Sequence, residues 1–222
     1  MDTGHDAIHA AISGAIIEHR LKPGARLRED SLAEVFGVSR TIVRKVLQRL
    51  ALEELITLTP RRGARVATPT PEEAREVFQA RRLIECALMP EVAARMTTAD
   101  HARLLALATE ERDALRGRRQ AQAIRLSSQF HEETALIGGN RTLAGFVSRL
   151  CSRSSLILAV YGSPGHLGCE CRDHEQLLDY LRAGNGERAH AFMDRHLRAI
   201  EASLSMVEED DSTPDLRRIF AV

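Results

Sequence analysis

The sequence predicts a mostly α-helical chain, an N-terminal winged helix-turn-helix followed by a C-terminal antiparallel α-helical bundle. Three observations carry that prediction. Apolar residues recur at helical spacing through most of the 222 residues. Two short β-type runs, Leu55–Thr59 and Ala64–Ala67, flank a Pro60-Arg61-Arg62-Gly63 turn. Pro69-Thr70-Pro71 then separates this basic segment from a longer, wholly helical one. A 44% hydrophobic content can build a packed core, which excludes disorder throughout. Apolar runs such as Leu156–Tyr161 fall short of the ~20 residues of a membrane span, and Met1–Asp6 lacks the basic-then-apolar start of a signal peptide. A cytoplasmic protein without membrane contact is therefore expected. Four unevenly spaced cysteines make no disulfide framework in a chain of this length.

The expected division is residues 1–68, 69–209 and a solvated tail at 210–222, entered through Glu208-Glu209-Asp210-Asp211. In the first part, a helix at Asp6–His19 has Ile8, Ile12, Ala15 and Ile16 on one face, and Lys22-Pro23-Gly24 turns the chain. A second helix covers Glu29–Phe36 and ends at Gly37. Ser39 is placed to cap a third, Arg40–Glu53, with Val43, Val46, Leu47 and Leu50 inward. Beyond the break the helices are Pro71–Met96, Ala99–Arg116, Gln120–Ile137, Arg141–Tyr161, Asp173–Ala183 and Glu187–Val207, with Gly-rich interruptions between them. Short breaks between long helices imply antiparallel neighbours.

The balanced total charge hides an asymmetry. Residues 1–68 hold eleven Lys or Arg against eight Asp or Glu, and residues 39–66 hold seven against two. A concentrated basic segment suits a polyanion. Ser39, Arg40 and Thr41 put donors at the start of the third helix, where amides and side chains can face phosphates and base edges. Arg40 and Arg44, four residues apart, share the face opposite the apolar one and can read guanine in two-point fashion. Arg61, Arg62 and Gly63 offer charge and close backbone approach at the wing tip.

Leu21-Lys22-Pro23-Gly24-Ala25-Arg26-Leu27-Arg28-Glu29-Asp30, Leu32-Ala33-Glu34-Val35-Phe36-Gly37-Val38-Ser39-Arg40-Thr41, Val43-Arg44 and Leu47-Gln48-Arg49-Leu50 resemble the GntR family of bacterial repressors across nearly all of residues 7–67. The resemblance implies DNA contact by Arg28, Ser39, Arg40, Thr41, Arg44 and Gly63, with Arg62 beside the last. Three residues depart from the family pattern: Ile42 stands where Pro is usual, Lys45 where Glu is usual, and Glu54 where Gly is usual. Lys45 adds positive charge on the expected DNA side.

In the helical part, His131 shares a face with Ile124, Ser128 and Ala135, His174 with Leu177, Leu178 and Leu181, and His196 with Phe192, Ile200 and Leu204. Three imidazoles thus point inward from three helices, a donor set suited to Zn, Ni or a similar ion with positions left open. Arg81 is in register with Val77, Ile84 and Leu88. It either clamps a carboxylate or pairs with Glu85 at i,i+4 spacing.

Arg81-Arg82-Leu83-Ile84-Glu85, Phe130-His131, Gly139-Asn140-Arg141-Thr142-Leu143, His174 and His196 resemble the FCD (FadR-like C-terminal) effector domain over about residues 72–207. That resemblance implies a dimerising bundle that takes a small carboxylate, often with a divalent metal on one Asp and three His. Effector contact is expected of Arg81, Ser127, His131, His174 and His196, and metal contact of the three histidines. Ser127 stands where the family has its Asp, a poor and uncharged ligand. Cys169-Glu170-Cys171 near His166 lacks the Cys-x2-Cys spacing of structural zinc. His131-Glu132-Glu133-Thr134-Ala135 lacks the second His of a zinc-protease helix.

The function expected is a homodimeric transcriptional regulator, a repressor released from a palindromic DNA operator by a small carboxylate. The alternative is a metal-dependent enzyme built on the three histidines, although no general base or nucleophile stands beside them in the sequence.

Overall fold

The computed structural model describes residues 3–162 and 172–206. The order is α1 (Thr3–Ile17), β1 (Arg26–Leu27), α2 (Glu29–Phe36), α3 (Arg40–Leu52), β2 (Ile56–Thr59), β3 (Gly63–Val66), then α4 (Pro71–Arg95), α5 (Thr98–Arg116), α6 (Gln120–Ile137), α7 (Arg141–Tyr161), α8 (Asp173–Arg182) and α9 (Gly186–Ala202). The mostly α architecture with a small wing is as the sequence predicts.

Local chemistry sets the boundaries. Gly37 ends α2 in the left-handed region at φ 64°, which costs glycine nothing and turns the chain into α3. The Ser39 hydroxyl then accepts from the Ile42 amide. That bond needs an N–H at position 42, which a proline there would remove. Thr70 and Glu73 form a reciprocal capping box at the start of α4, just behind the Pro-Thr-Pro break.

Three expectations are corrected. The first helix ends at Ile17 rather than at His19, whose φ of 57° is left-handed. The wing is a three-stranded antiparallel sheet of order β1-β3-β2, not a bare hairpin; Arg26 pairs with Arg65 and Ile56 with Val66. Two residues carry no period of their own, so β1 exists only through its ladder with β3. The last helix stops at Ala202 instead of Val207, although Leu204 beyond it is still buried. Its apolar period continues past the helical hydrogen bonds.

Ile8, Ile12, Ile16, Val43, Leu47, Leu50, Ile56 and Val66 form one core, and Leu156 of α7 belongs to it. A larger core lies among the bundle helices. There α4 packs on α9 and α7, and α5 on α6. The start of α9 sits tightly on α4: a Cβ at Gly186 would meet the Pro90 Cα at 2.6 Å. Among the described residues α7 alone has the length and apolar content of a membrane-crossing helix. It packs against α4, α6 and α1.

One turn of α7 joins the two cores. The Ser155 hydroxyl donates to the Ile17 carbonyl at 2.6 Å, and His19 Nε2 bonds the Ser155 carbonyl at 2.7 Å. Arg153 pairs with Glu54 at 2.7 Å. Glu54 has φ 59°, so the position where the family favours glycine is left-handed here, and a charged residue occupies it with an ion pair to the bundle.

Candidate nucleic-acid interface and candidate metal centre

Arg28, Ser39, Arg40, Thr41, Arg44, Lys45, Arg62 and Gly63 are all exposed. Arg28, Arg40 and Gly63 line one open cleft between α2, α3 and the wing. Arg44 and Arg40 reach the acids at the start of α2: Arg44 makes a two-point contact with Glu29 at 2.7 and 3.0 Å, and Arg40 lies 3.0 Å from Asp30. These guanidiniums hold the Glu29 carboxyl below its ordinary range, Arg44 most strongly. A solvated carboxylate on such an arginine is readily exchanged for a phosphate or a base edge, because exposed ion pairs contribute little. Arg62 belongs to a neighbouring concavity with Arg26, Arg61 and Arg65. Arg26 and Arg65 were not anticipated as part of this surface. They face each other across β1 and β3, so the unforeseen strand is what gathers the four arginines.

In the bundle, His131 from α6, His174 from α8 and His196 from α9 are buried together, with one ring nitrogen of each within 4.8 Å of the others. Each ring has a carboxylate on Nδ1. Glu85 of α4 lies 2.6 Å from His131, Glu111 of α5 2.5 Å from His174, and Asp173 2.9 Å from His196. Phe130 stacks on the His174 ring with centroids 4.1 Å apart. A carboxylate accepts from the Nδ1–H of each ring, which keeps the proton on Nδ1 and leaves the Nε2 lone pair free to ligate.

Burial pushes His131 down to about 3 despite Glu85, and lowers His196 as well. Both rings are therefore neutral near pH 7. Burial would raise the Glu85 carboxyl, but Arg81 and His131 outweigh it and hold Glu85 well below the carboxylate range. Glu111 is likewise lowered on balance, by His174 against its own burial.

The donor set fits a metal ion. His131 Nε2 and His174 Nε2 are 3.3 Å apart. Two bare lone pairs at that distance repel unless a proton or a cation lies between them. Neutral imidazoles backed by carboxylates are the ligands that zinc and nickel prefer.

Arg81, Ser127, Ser128, His131 and Ser155 line one cavity beside these rings, and Glu111 forms part of its wall. Arg81 pairs with Glu85 at 2.6 Å, the i,i+4 reading, and it also lines this cavity. Sequence reasoning missed Glu85, Glu111 and Asp173 as partners of the histidines. Only the Arg81–Glu85 spacing hinted at one of them. Cys169, Cys171 and His166, and the tail at 210–222, lie outside the described residues.

Residues 5–66 match the model of the bacterial regulatory proteins of the gntR family, and residues 76–199 match that of the FCD domain. The chain is similar to the HTH-type transcriptional repressor RspR of Escherichia coli K12, at 24% identity over 92% of this chain and 90% of the relative. It is similar to the Exu regulon transcriptional regulator of the same organism, at 26% over 89% and 84%. Among solved structures, a GntR protein of Rhodococcus sp. RHA1 superposes with a TM-score of 0.79 at 26% identity, over 89% of this chain and 95% of that one. Escherichia coli McbR/YncC gives 0.81 at 22% identity, over 91% and 97%, a likeness of fold. These relatives are regulators, which removes the enzyme alternative. A winged reading head ahead of an FCD bundle makes this chain a member of the GntR family of bacterial transcriptional regulators.

Proposed function

We propose that this regulator is a cytoplasmic homodimer that represses from a palindromic operator and releases it when a small carboxylate enters the bundle. Residues 1–68 are the reading head, and residues 69–209 hold the effector and pair the subunits. One recognition helix reads few base pairs, so two-fold pairing supplies the missing affinity and specificity. The relative RspR is itself named a repressor. Arg40, Arg44 and Lys45 face the groove, Ser39 and Thr41 lie at the helix start, and Arg28, Arg62 and Gly63 lie on the flanking backbone.

His131, His174 and His196 would hold a divalent ion, Zn or Ni, through Nε2. When bound, such an ion supplies positive charge that draws an anionic oxygen into the cavity. Arg81, Ser127 and Ser128 offer the remaining donors. The observation that carries the reading is Ser155. It lines the cavity, and its hydroxyl donates to the last carbonyl of α1. An effector oxygen that takes this hydroxyl loosens α1 from α7 and shifts the reading head between two arrangements. That difference in binding is the coupling free energy.

Selection from randomised oligonucleotides tests the DNA half: an enriched inverted repeat is expected, and no enrichment at any salt concentration contradicts it. Adding di- and tricarboxylates to that complex with Zn2+ present tests the effector half. At least one acid should release the DNA, and release that persists in His174→Ala would contradict the site.

A further inference from the structure

An imidazole that binds a metal through a ring nitrogen brings no charge to it, so negative charge must stand close to a divalent ion on three histidines or the ion bears the full cost of burial. Three carboxylates touch the rings. Glu85 is already balanced by Arg81 at 2.6 Å. The other two are Glu111 on His174 and Asp173 on His196.

These two are not equivalent. The Asp173 side chain is 18% exposed, whereas that of Glu111 is 6% exposed. Glu111 and Ser127 also stand in the wall of the same cavity beside His131. Glu111 is thus a carboxylate that reaches the wall beside Ser127 from another helix. An aspartate at 127 would set a second negative charge beside Glu111 in the same cavity wall, which is costly in a buried site.

We infer that Glu111, beside Ser127 in the cavity wall, supplies the negative charge of the metal centre on the side where residue 127 has none, which leaves the coordination position facing residue 127 open to an oxygen of an anionic ligand. Glu111 acts through the His174 ring and the local field, as a positioning and charge-balancing residue. This rests on the metal reading above and assigns that site its charge balance and its open side.

The test is calorimetric titration of Zn2+ into full-length protein freed of metal by chelation and dialysis. Wild type, His174→Ala, Glu111→Gln, Ser127→Asp and the Glu111→Gln/Ser127→Asp double variant are compared. Glu111→Gln preserves shape and removes charge, and should weaken Zn2+ binding by roughly 10- to 100-fold. The loss caused by Glu111→Gln should be much smaller with aspartate at 127 than with serine, a difference that a purely structural role for Glu111 would not give. On its own, Ser127→Asp should lower the melting temperature of the metal-free protein, because the two carboxylates then face each other. This last measurement carries the test if Glu111→Gln does not fold.

Zn2+ binding that is absent in wild type, or unchanged in His174→Ala, overturns the metal reading itself. Binding that depends on His174 but is unaltered in Glu111→Gln overturns this inference alone. So does a Glu111→Gln loss of equal size with serine or aspartate at 127, or a metal-free Ser127→Asp protein as stable as wild type.

Discussion

The reading head and the bundle both hold basic side chains on carboxylates, and they do it at opposite extremes of burial. Arg40 and Arg44 are 60% and 58% exposed on Glu29 and Asp30, whereas His131 and Glu85 are 2% and 3% exposed. Exposed pairs are screened and cost little to exchange, so under the proposed function Arg40 and Arg44 can pass from protein acids to DNA. Buried pairs are expensive to break, so the imidazoles stay aimed with or without a ligand. The same chemical pairing makes one surface exchangeable and the other preorganised.

The sharpest way to break this contrast is to remove a buried carboxylate. Glu85→Ala leaves the Arg81 guanidinium buried without its 2.6 Å partner and unties His131. It should cost about 3–5 kcal/mol of unfolding free energy, read from the urea midpoint. A midpoint within error of wild type would mean the buried pairs are no firmer than the surface ones. Next in size, Arg40→Ala should weaken operator binding roughly 10- to 100-fold while leaving the urea midpoint unchanged. Weakened binding together with reduced stability would place Arg40 in the fold rather than at the DNA.

Between the two regions, His19 provides a pH-dependent contact. Burial lowers its pKa, partly offset by the Ser155 carbonyl it bonds. The unfolded chain therefore takes up a proton below the ordinary histidine value, near 6.5, that folded His19 resists. This contribution is present above that value and is lost as pH falls below it. Unfolding midpoints across pH 5–8 should decline on the acid side, and less steeply in His19→Gln; parallel curves would remove His19 from the account. The smallest expected effect belongs to Glu54→Gly. It relieves a left-handed non-glycine residue but gives up the exposed Arg153 pair, and should change stability by less than about 1 kcal/mol. A larger loss would make that surface pair a structural tie between the regions.

What the sequence made legible follows the range of the interactions. Gly37, the Ser39 cap and the inward faces of the three histidines are set within one or two turns of helix, so period and capping chemistry reveal them. The carboxylate partners Glu85, Glu111 and Asp173 lie 46, 63 and 23 residues from their histidines and become partners only when the bundle closes. The Ser155–Ile17 bond spans 138 residues and has no local trace. Nor does β1, whose two residues are a strand only because β3 runs beside them.

The most direct test of the central claim, that the cavity in the bundle sets how tightly the exposed arginines hold DNA, is operator affinity measured by fluorescence anisotropy on a selected inverted repeat. Metal-free protein, Zn2+-loaded protein and Zn2+-loaded protein with each of a panel of carboxylates are compared, in wild type and Ser155→Ala. The account predicts that at least one wild-type state differs from the others by roughly 5- to 150-fold, and that Ser155→Ala narrows the gap while still binding the operator. One operator affinity shared by every state of the wild-type protein would contradict it.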